Sequence, residues 1–205
     1  FVNYPEYILA PLLDQEINPA IRADAVKWTE TSGKELKDYD CIIFFGMGLN
    51  FTEEQSRLLA ELKKPVYTTA STRQETALST LTEEQRETLA GYLAGGKKNF
   101  RRMLDFIRYE IDGKRIRAPK PEPPRILPAD ALFHTAPEAL FQSKEAYFNY
   151  YRKAGKFQPG APTVALVIPG DGGAARGEPG YLTDIIQALE ARKLNVVGIS
   201  GNAKR

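Results

Sequence analysis

The chain has 205 residues, room for one or two domains. It is 42% hydrophobic and 26% charged, enough for a real core, and 28 basic against 26 acidic residues leave a net charge of +2, too balanced to mark a nucleic-acid binder. No run nears the roughly eighteen apolar residues of a membrane-spanning helix, and the lone cysteine, Cys41, excludes an internal disulfide framework.

In chain order, Phe1–Tyr4 reads as a strand already under way. That opening suggests that a preceding segment could carry a signal or anchor, so the compartment stays open. Ile8, Leu9, Leu12 and Leu13 recur at helical spacing, and Pro5 suits a first helical turn. Ala25–Thr29 is a weaker strand candidate. Asp40–Phe45 is a strong one, continuous as expected for a strand covered on both faces, and it makes Cys41 a small buried hydrophobe. Gly46-Met47-Gly48 breaks it, and Val66–Thr69 forms another short strand.

Thr52 with Gln55 predicts a capping box for a helix whose Leu58, Leu59 and Leu62 share a face. The same Thr-Glu-Glu-Gln recurs at Thr82. The flanks differ and no calcium-loop spacing follows, so these are two helix starts rather than a repeat. Residues 82–112 predict two helices. Phe100, Met103, Leu104, Ile107 and Ile111 mark the second, and Gly113 stands where a C-terminal cap belongs.

Residues 113–128 change character. Pro119, Pro121, Pro123, Pro124 and Pro128 alternate with Lys114, Arg115, Arg117, Lys120 and Arg125, which reads as a solvated connector. The domain reading is therefore an α/β domain over 1–112, a Pro/basic linker over 113–128, and the start of a second α/β domain over 129–205. The fold class expected is α/β: parallel-sheet layers with flanking helices, in two units, the second incomplete.

In the second unit Ser143 can cap a helix carrying Tyr147, Phe148 and Tyr151 on one face, closed by Gly155. Such a stripe reads as core rather than as a cofactor box. Strand Thr163–Ile168, a glycine-rich loop over Pro169–Gly180, a helix from about Tyr181 and strand Asn195–Ile199 follow. Gly170-Asp171-Gly172-Gly173-Ala174-Ala175 matches G-x-G-x-x-A, but Gly177-Glu178-Pro179-Gly180 delays the helix, and no acidic residue ends the second strand. A dinucleotide site needs both features. Glu178 stands where a P-loop requires lysine. The loop still lies at the C-terminal end of a strand, where open α/β sheets bind ligands, and its Arg176 could clamp a carboxylate. The single histidine, His134, is the other candidate; one Cys and one His leave no metal cluster by spacing.

Three segments together resemble the large subunits of metal–tetrapyrrole chelatases, the CobN-type cobaltochelatase subunit and the H subunit of magnesium chelatase. The first is Gly91-Tyr92-Leu93-Ala94-Gly95-Gly96-Lys97-Lys98-Asn99-Phe100 with Met103-Leu104. The second runs from Ala131-Leu132-Phe133-His134-Thr135-Ala136-Pro137 to Phe141, Tyr147 and Tyr150-Tyr151. The third runs from Pro162–Leu166 through Ile185-Ile186-Gln187-Ala188-Leu189-Glu190-Ala191-Arg192 to Val196-Val197. The likeness covers roughly residues 85–200 and leaves residues 1–84 without one. It departs at Thr135, where the family pattern has proline, and at Pro169-Gly170, where it has an aromatic residue and an arginine.

The resemblance implies an N-terminal piece of a much longer polypeptide that inserts metal into a porphyrin or corrin ring. In a divergent member of the type associated with haem uptake, it would remove metal. His134 and Arg176 would then bind the tetrapyrrole; the catalytic base is not placed. No cofactor is expected in this chain, and the tetrapyrrole and a divalent metal would be substrates of the whole protein. The implied partners are the rest of the polypeptide and AAA+ ATPase subunits, not nucleic acid. The chain alone would be inactive. The family default is cytoplasmic, with a periplasmic or membrane-associated protein if a leader or anchor precedes Phe1. Two alternatives remain: a non-catalytic docking or scaffold module, and a nucleotide-binding α/β protein.

Overall fold

The structure is a computed structural model, and it describes residues 1–13, 17–28, 32–47, 49–69, 76–94, 96–115, 119–126, 128, 130–136, 139–168, 180 and 182–201. It divides into two compact units, Phe1–Leu93 with Lys97–Arg125, and Ala94–Gly96 with Ile126–Arg205.

The first unit carries α1 (Glu6–Leu13), β1 (Ile42–Phe45), α2 (Glu53–Leu62), β2 (Val66–Thr69), α3 (Glu83–Leu93) and α4 (Gly96–Phe106). β1 and β2 pair in parallel, with Ile42 beside Val66 and Phe45 beside Thr69. The unbroken apolar run of β1 is explained by its two covers. Ile42 and Phe44 pack with Val2, Leu36 and Leu59. Ile43 packs with Leu9, Leu89, Phe100 and Met103. Both expected capping boxes form. Thr52 Oγ1 accepts from Gln55 N at 3.2 Å while Gln55 Oε1 accepts from Thr52 N at 2.9 Å. Thr82 and Gln85 repeat the pair at 3.2 and 3.0 Å.

The strands expected at Phe1–Tyr4 and Ala25–Thr29 shrink to single bridges, Val2 to Val26 and Val2 to Phe44, both parallel. Asn3 is the reason: it sits at φ 55°, in the left-handed region, so the chain leaves the ladder after Val2. Its side chain then accepts from Trp28 N at 2.9 Å. The amphipathic run expected through Ile111 also changes, because α4 widens at Phe106 into a π-helical turn, Ile107–Ile111, closed by Asp112 N to Ile107 O at 2.8 Å. Gly113 follows at φ 68°, as its capping position requires.

Residues 119–125, read from sequence as part of a solvated connector, lie against α3 and α4. Tyr92 Oη donates to Glu122 O at 2.5 Å. Asn99 holds both backbone groups of Arg125, donating to its carbonyl at 2.7 Å and accepting from its amide at 2.8 Å. Arg102 pairs with Glu122. Prolines offer no amide donors, so side chains meet the carbonyls of Glu122 and Arg125, and Asn99 takes the Arg125 amide as well.

The second unit carries β3 (Ala131–Phe133), β4 (Leu140–Phe141), α5 (Lys144–Lys153), β5 (Thr163–Ile168), α6 (Leu182–Ala191) and β6 (Asn195–Ser200). The strand order is β4-β3-β6-β5. β5 and β6 are parallel, whereas β3 runs antiparallel to both β6 and β4. The α/β class holds, with antiparallel pairs added by two strands too short to show a period. On one face Phe133, Val196, Leu166 and Ile168 pack against Leu182 and Ile186 of α6. On the other, Leu132, Phe141, Val197 and Ile199 pack against Tyr147 and Tyr151 of α5.

Gly198 sits where β6 crosses β3. A Cβ there would lie 2.6 Å from the Phe133 carbonyl oxygen and 2.7 Å from its ring. Gly198→Ala therefore has to part β3 from β6, and we expect a loss of about 1–3 kcal/mol in chemical denaturation. An unchanged midpoint would contradict the close approach.

Candidate functional site

The site starts from a register problem. Asn195 N donates to Pro162 O at 2.9 Å and Gly201 N to Ile168 O at 3.3 Å, so alternate residues of β6 from Asn195 face β5. Val196, Gly198 and Ser200 then face β3. Gly198 and Ser200 are met by Phe133 and Ala131. Continuing that register would bring Thr135 to Val196, but β3 stops at Phe133. Val196 is fully buried, so its amide and carbonyl need other partners.

Two tyrosines of α5 supply them. Tyr147 Oη donates to Val196 O at 2.5 Å, and Tyr151 Oη accepts from Val196 N at 3.2 Å. Ser143 sets the start of α5 by accepting from Ala146 N at 3.1 Å. Tyr147 and Tyr151 are four residues apart, one helical turn, so their hydroxyls reach the two backbone groups of the same residue. Burial pushes both phenols up, Tyr151 to about 12 and Tyr147 beyond, so both stay protonated.

His134 turns the chain away at the end of β3. Its ring is enclosed, with centroids 5.2 Å from Tyr151, 6.0 Å from Tyr150 and 6.3 Å from Tyr147. Nε2 lies 2.7 Å from Glu190 Oε1, and Nδ1 lies 3.1 Å from Thr135 Oγ1. Lys156 Nζ donates to Glu190 Oε2 at 3.1 Å. Glu190 thus joins, on α6, the exit of β3 and the turn after α5.

The charges follow. Burial alone would raise the Glu190 carboxyl, but hydrogen bonds from His134, Lys156 and Tyr151 outweigh it and hold the group below its ordinary 4.5. Burial disfavours imidazolium and outweighs the pull of Glu190, so His134 titrates below its ordinary 6.5. An ionised Glu190 only accepts, so neutral His134 carries its proton on Nε2 and Nδ1 accepts from Thr135. Both ring nitrogens are engaged by neighbouring side chains.

Arg176 and the glycine-rich loop over residues 169–179 lie outside the described residues. His134 and Arg176 are therefore not brought together by anything described. Sequence reasoning missed Glu190, Lys156 and Thr135 as partners of His134. Glu190 stood in a quoted segment, yet it is 56 positions from His134, and no periodicity links them. Among the described residues no group of His, Cys, Asp and Glu could hold a metal ion, and no helix is long and apolar enough to cross a membrane. In the first unit a cleft of about 630 Å³ is lined by Tyr39, Cys41, Leu104, Ile107, Arg108 and Lys114 among others. Lys114 is committed there to Asp40 at 3.0 Å and Asp112 at 3.1 Å. Burial pushes the Cys41 thiol up to about 12, so it is not a nucleophile at neutral pH.

The second unit is a mixed α/β sheet flanked by helices and fastened by buried tyrosine and histidine side chains and a half-buried glutamate. Residues 90–204 match the family described as CobN/Magnesium Chelatase. The chain belongs to the CobN/magnesium chelatase family. Its fold is similar to the catalytic subunit of cobaltochelatase from Mycobacterium tuberculosis, with a TM-score of 0.54 at 15% identity. That match covers 86% of this chain and 14% of the other, so the chain spans about one seventh of that protein's length. No curated protein matches the sequence.

The network predicts acid sensitivity with a definite sign. The folded state binds the His134 proton less readily than the unfolded state. Its contribution is therefore complete above the ordinary 6.5 and is lost as pH falls through the lowered folded value. Glu190 adds a loss of the same sign below 4.5. The melting temperature should fall on acidification from pH 7.5 to 5.5, and His134→Gln should flatten that slope; equal slopes would remove the buried histidine as its cause. Tyr151→Phe strands the Val196 amide and should cost about 1–3 kcal/mol at either pH. A wild-type denaturation midpoint in that variant would contradict its role.

Proposed function

We propose that this chain is part of a CobN-type chelatase large subunit that acts on metal–tetrapyrroles, inserting metal into the ring or, in a haem-directed member, removing it. The observation that carries this reading is the family match over residues 90–204, which spans the His134–Glu190 network and the glycine-rich segment. The tetrapyrrole and a divalent metal are substrates in this reading, and AAA+ ATPase subunits are partners. Metal exchange requires a held ring, cations for its peripheral carboxylates and a base for the pyrrole protons.

Within that scheme His134 acts through others. It fixes the exit of β3 and, through Glu190, the last turn of α6. Arg176 is the group proposed to meet a ring carboxylate directly. The base is assigned to no residue of this chain. A second reading, a docking or scaffold module without chemistry of its own, is favoured by one observation: His134 and Glu190 spend their polar atoms on each other and on their neighbours, as framework groups do.

Titrating the intact protein with haem and with metal-free porphyrins separates the two. A shifted Soret band that weakens at least about tenfold in apparent affinity in Arg176→Ala supports the first reading, by loss of one charge-assisted contact. An unmoved Soret band with both rings supports the scaffold and removes the first. His134→Gln should alter ring binding only as far as it lowers the melting temperature; loss of binding at an unchanged melting temperature would make the histidine a direct ligand.

A further inference from the structure

The proline segment carries a threefold pattern that its composition does not require. Residues 121–124 read Pro-Glu-Pro-Pro, so Pro121 and Pro124 stand in P-x-x-P spacing. A polyproline II chain returns to the same side after one turn of three residues. Pro121 and Pro124 are half-buried, whereas Lys120, Glu122, Pro123 and Arg125 are exposed. The backbone repeats the period. The carbonyls taken by Tyr92 and Asn99 belong to Glu122 and Arg125, again three residues apart. The hold ends there, since Ile126 is 93% exposed.

The receiving face suits such a chain. An extended proline segment has no internal hydrogen bonds, so its carbonyls stay open to outside donors. Tyr92 and Asn99 are each only 2% exposed, and both aim a donor at this segment. Asn99 also accepts the Arg125 amide at 2.8 Å, so it grips both backbone groups of one residue. Gly91 of α3 makes room for the second proline, because a Cβ there would lie 2.8 Å from Pro124 Cγ. Arg102 pairs with an exposed Glu122, which selects an acidic residue between the prolines more than it strengthens the hold. P-x-x-P peptides dock on folded domains in this manner, because a chain already extended loses little entropy on binding.

We infer that the α3–α4 face is a binding site for a proline-rich peptide of the form Pro-Glu-x-Pro, and that residues 121–125 occupy it in cis as a releasable strap. Gly91, Tyr92, Asn99, Arg102 and the strap all lie within the first unit. The site is separate from any tetrapyrrole site, and its test does not depend on porphyrin binding.

A labelled peptide of residues 119–126, titrated into the intact protein and followed by fluorescence anisotropy, tests it. In the wild type the tethered strap acts at an effective concentration of about millimolar and should keep the peptide out. Pro121→Gly with Pro124→Gly removes both rings and the extended bias from the strap while leaving the face intact. That variant should bind the peptide at least about tenfold more tightly than the wild type does. Adding Gly91→Ala, a change that favours the helix itself, should remove the gain by closing the space for the proline. Equal binding to the wild type and the two-glycine variant, binding to neither, or a gain that survives Gly91→Ala would each overturn the inference. Hydrogen exchange on the wild type gives a second measurement that needs no variant. The Arg125 amide should exchange on the order of tenfold or more slowly than in an unstructured chain, and an unstructured rate would remove the strap.

Discussion

The second unit depends on how the backbone amide and carbonyl of one buried residue, Val196, are satisfied. β3 is three residues long and β6 is six, so the ladder between them runs out at Gly198 and leaves the amide and carbonyl of Val196 without a strand. An orphaned buried backbone group costs as much as several ordinary hydrogen bonds contribute, which makes this a constraint and not a detail. Tyr147 and Tyr151 meet it with hydroxyls at 2.5 and 3.2 Å. The substitution has a geometric requirement. The two hydroxyls must arrive one helical turn apart, over the strand, on a helix that starts at a fixed place. Ser143 sets that start, and the aromatic packing of Phe141, Phe148 and Phe157 holds the helix against β6.

His134 belongs to the same constraint. A β3 that continued would have filled the gap at Val196 and excluded the tyrosines. The chain turns away there, with the imidazole bonded to Glu190 on one side and to Thr135 on the other. Thr135 is one of the departures from the chelatase pattern, which has proline at that position. A proline has no hydroxyl, so in this chain the donor to Nδ1 is a local solution to a local need.

Much of this was legible in sequence, for identifiable reasons. Capping boxes and Gly155 involve residues a few positions apart, and they formed as read. β1, β5, α6 and β6 carry strong continuous or periodic signals and lie where expected. What failed was short or long-range. β3 and β4 have three and two residues, below any period. Val2 and Val26 make bridges instead of strands, because one left-handed Asn3 outweighs the β-propensity around it. The proline segment looked solvated by composition, yet Tyr92 and Asn99 reach it from 30 and 26 positions away. His134 was read as a ring ligand only through the family resemblance, and its hydrogen-bond partner Glu190 was visible only as one letter of a helix.

The residues that carried the family resemblance do a common kind of work. Asn99 holds the backbone of Arg125, Tyr147 and Tyr151 hold that of Val196, and His134 and Glu190 hold each other. Each closes a polar gap that the strands and helices leave in an apolar setting. Such positions accept few alternatives, since the replacement must offer the same donor or acceptor at the same point. A likeness built on them reports architecture. Glu190 accepts from His134 and Lys156, and both ring nitrogens of His134 are engaged, so these side chains hold one another at the point where β3 ends.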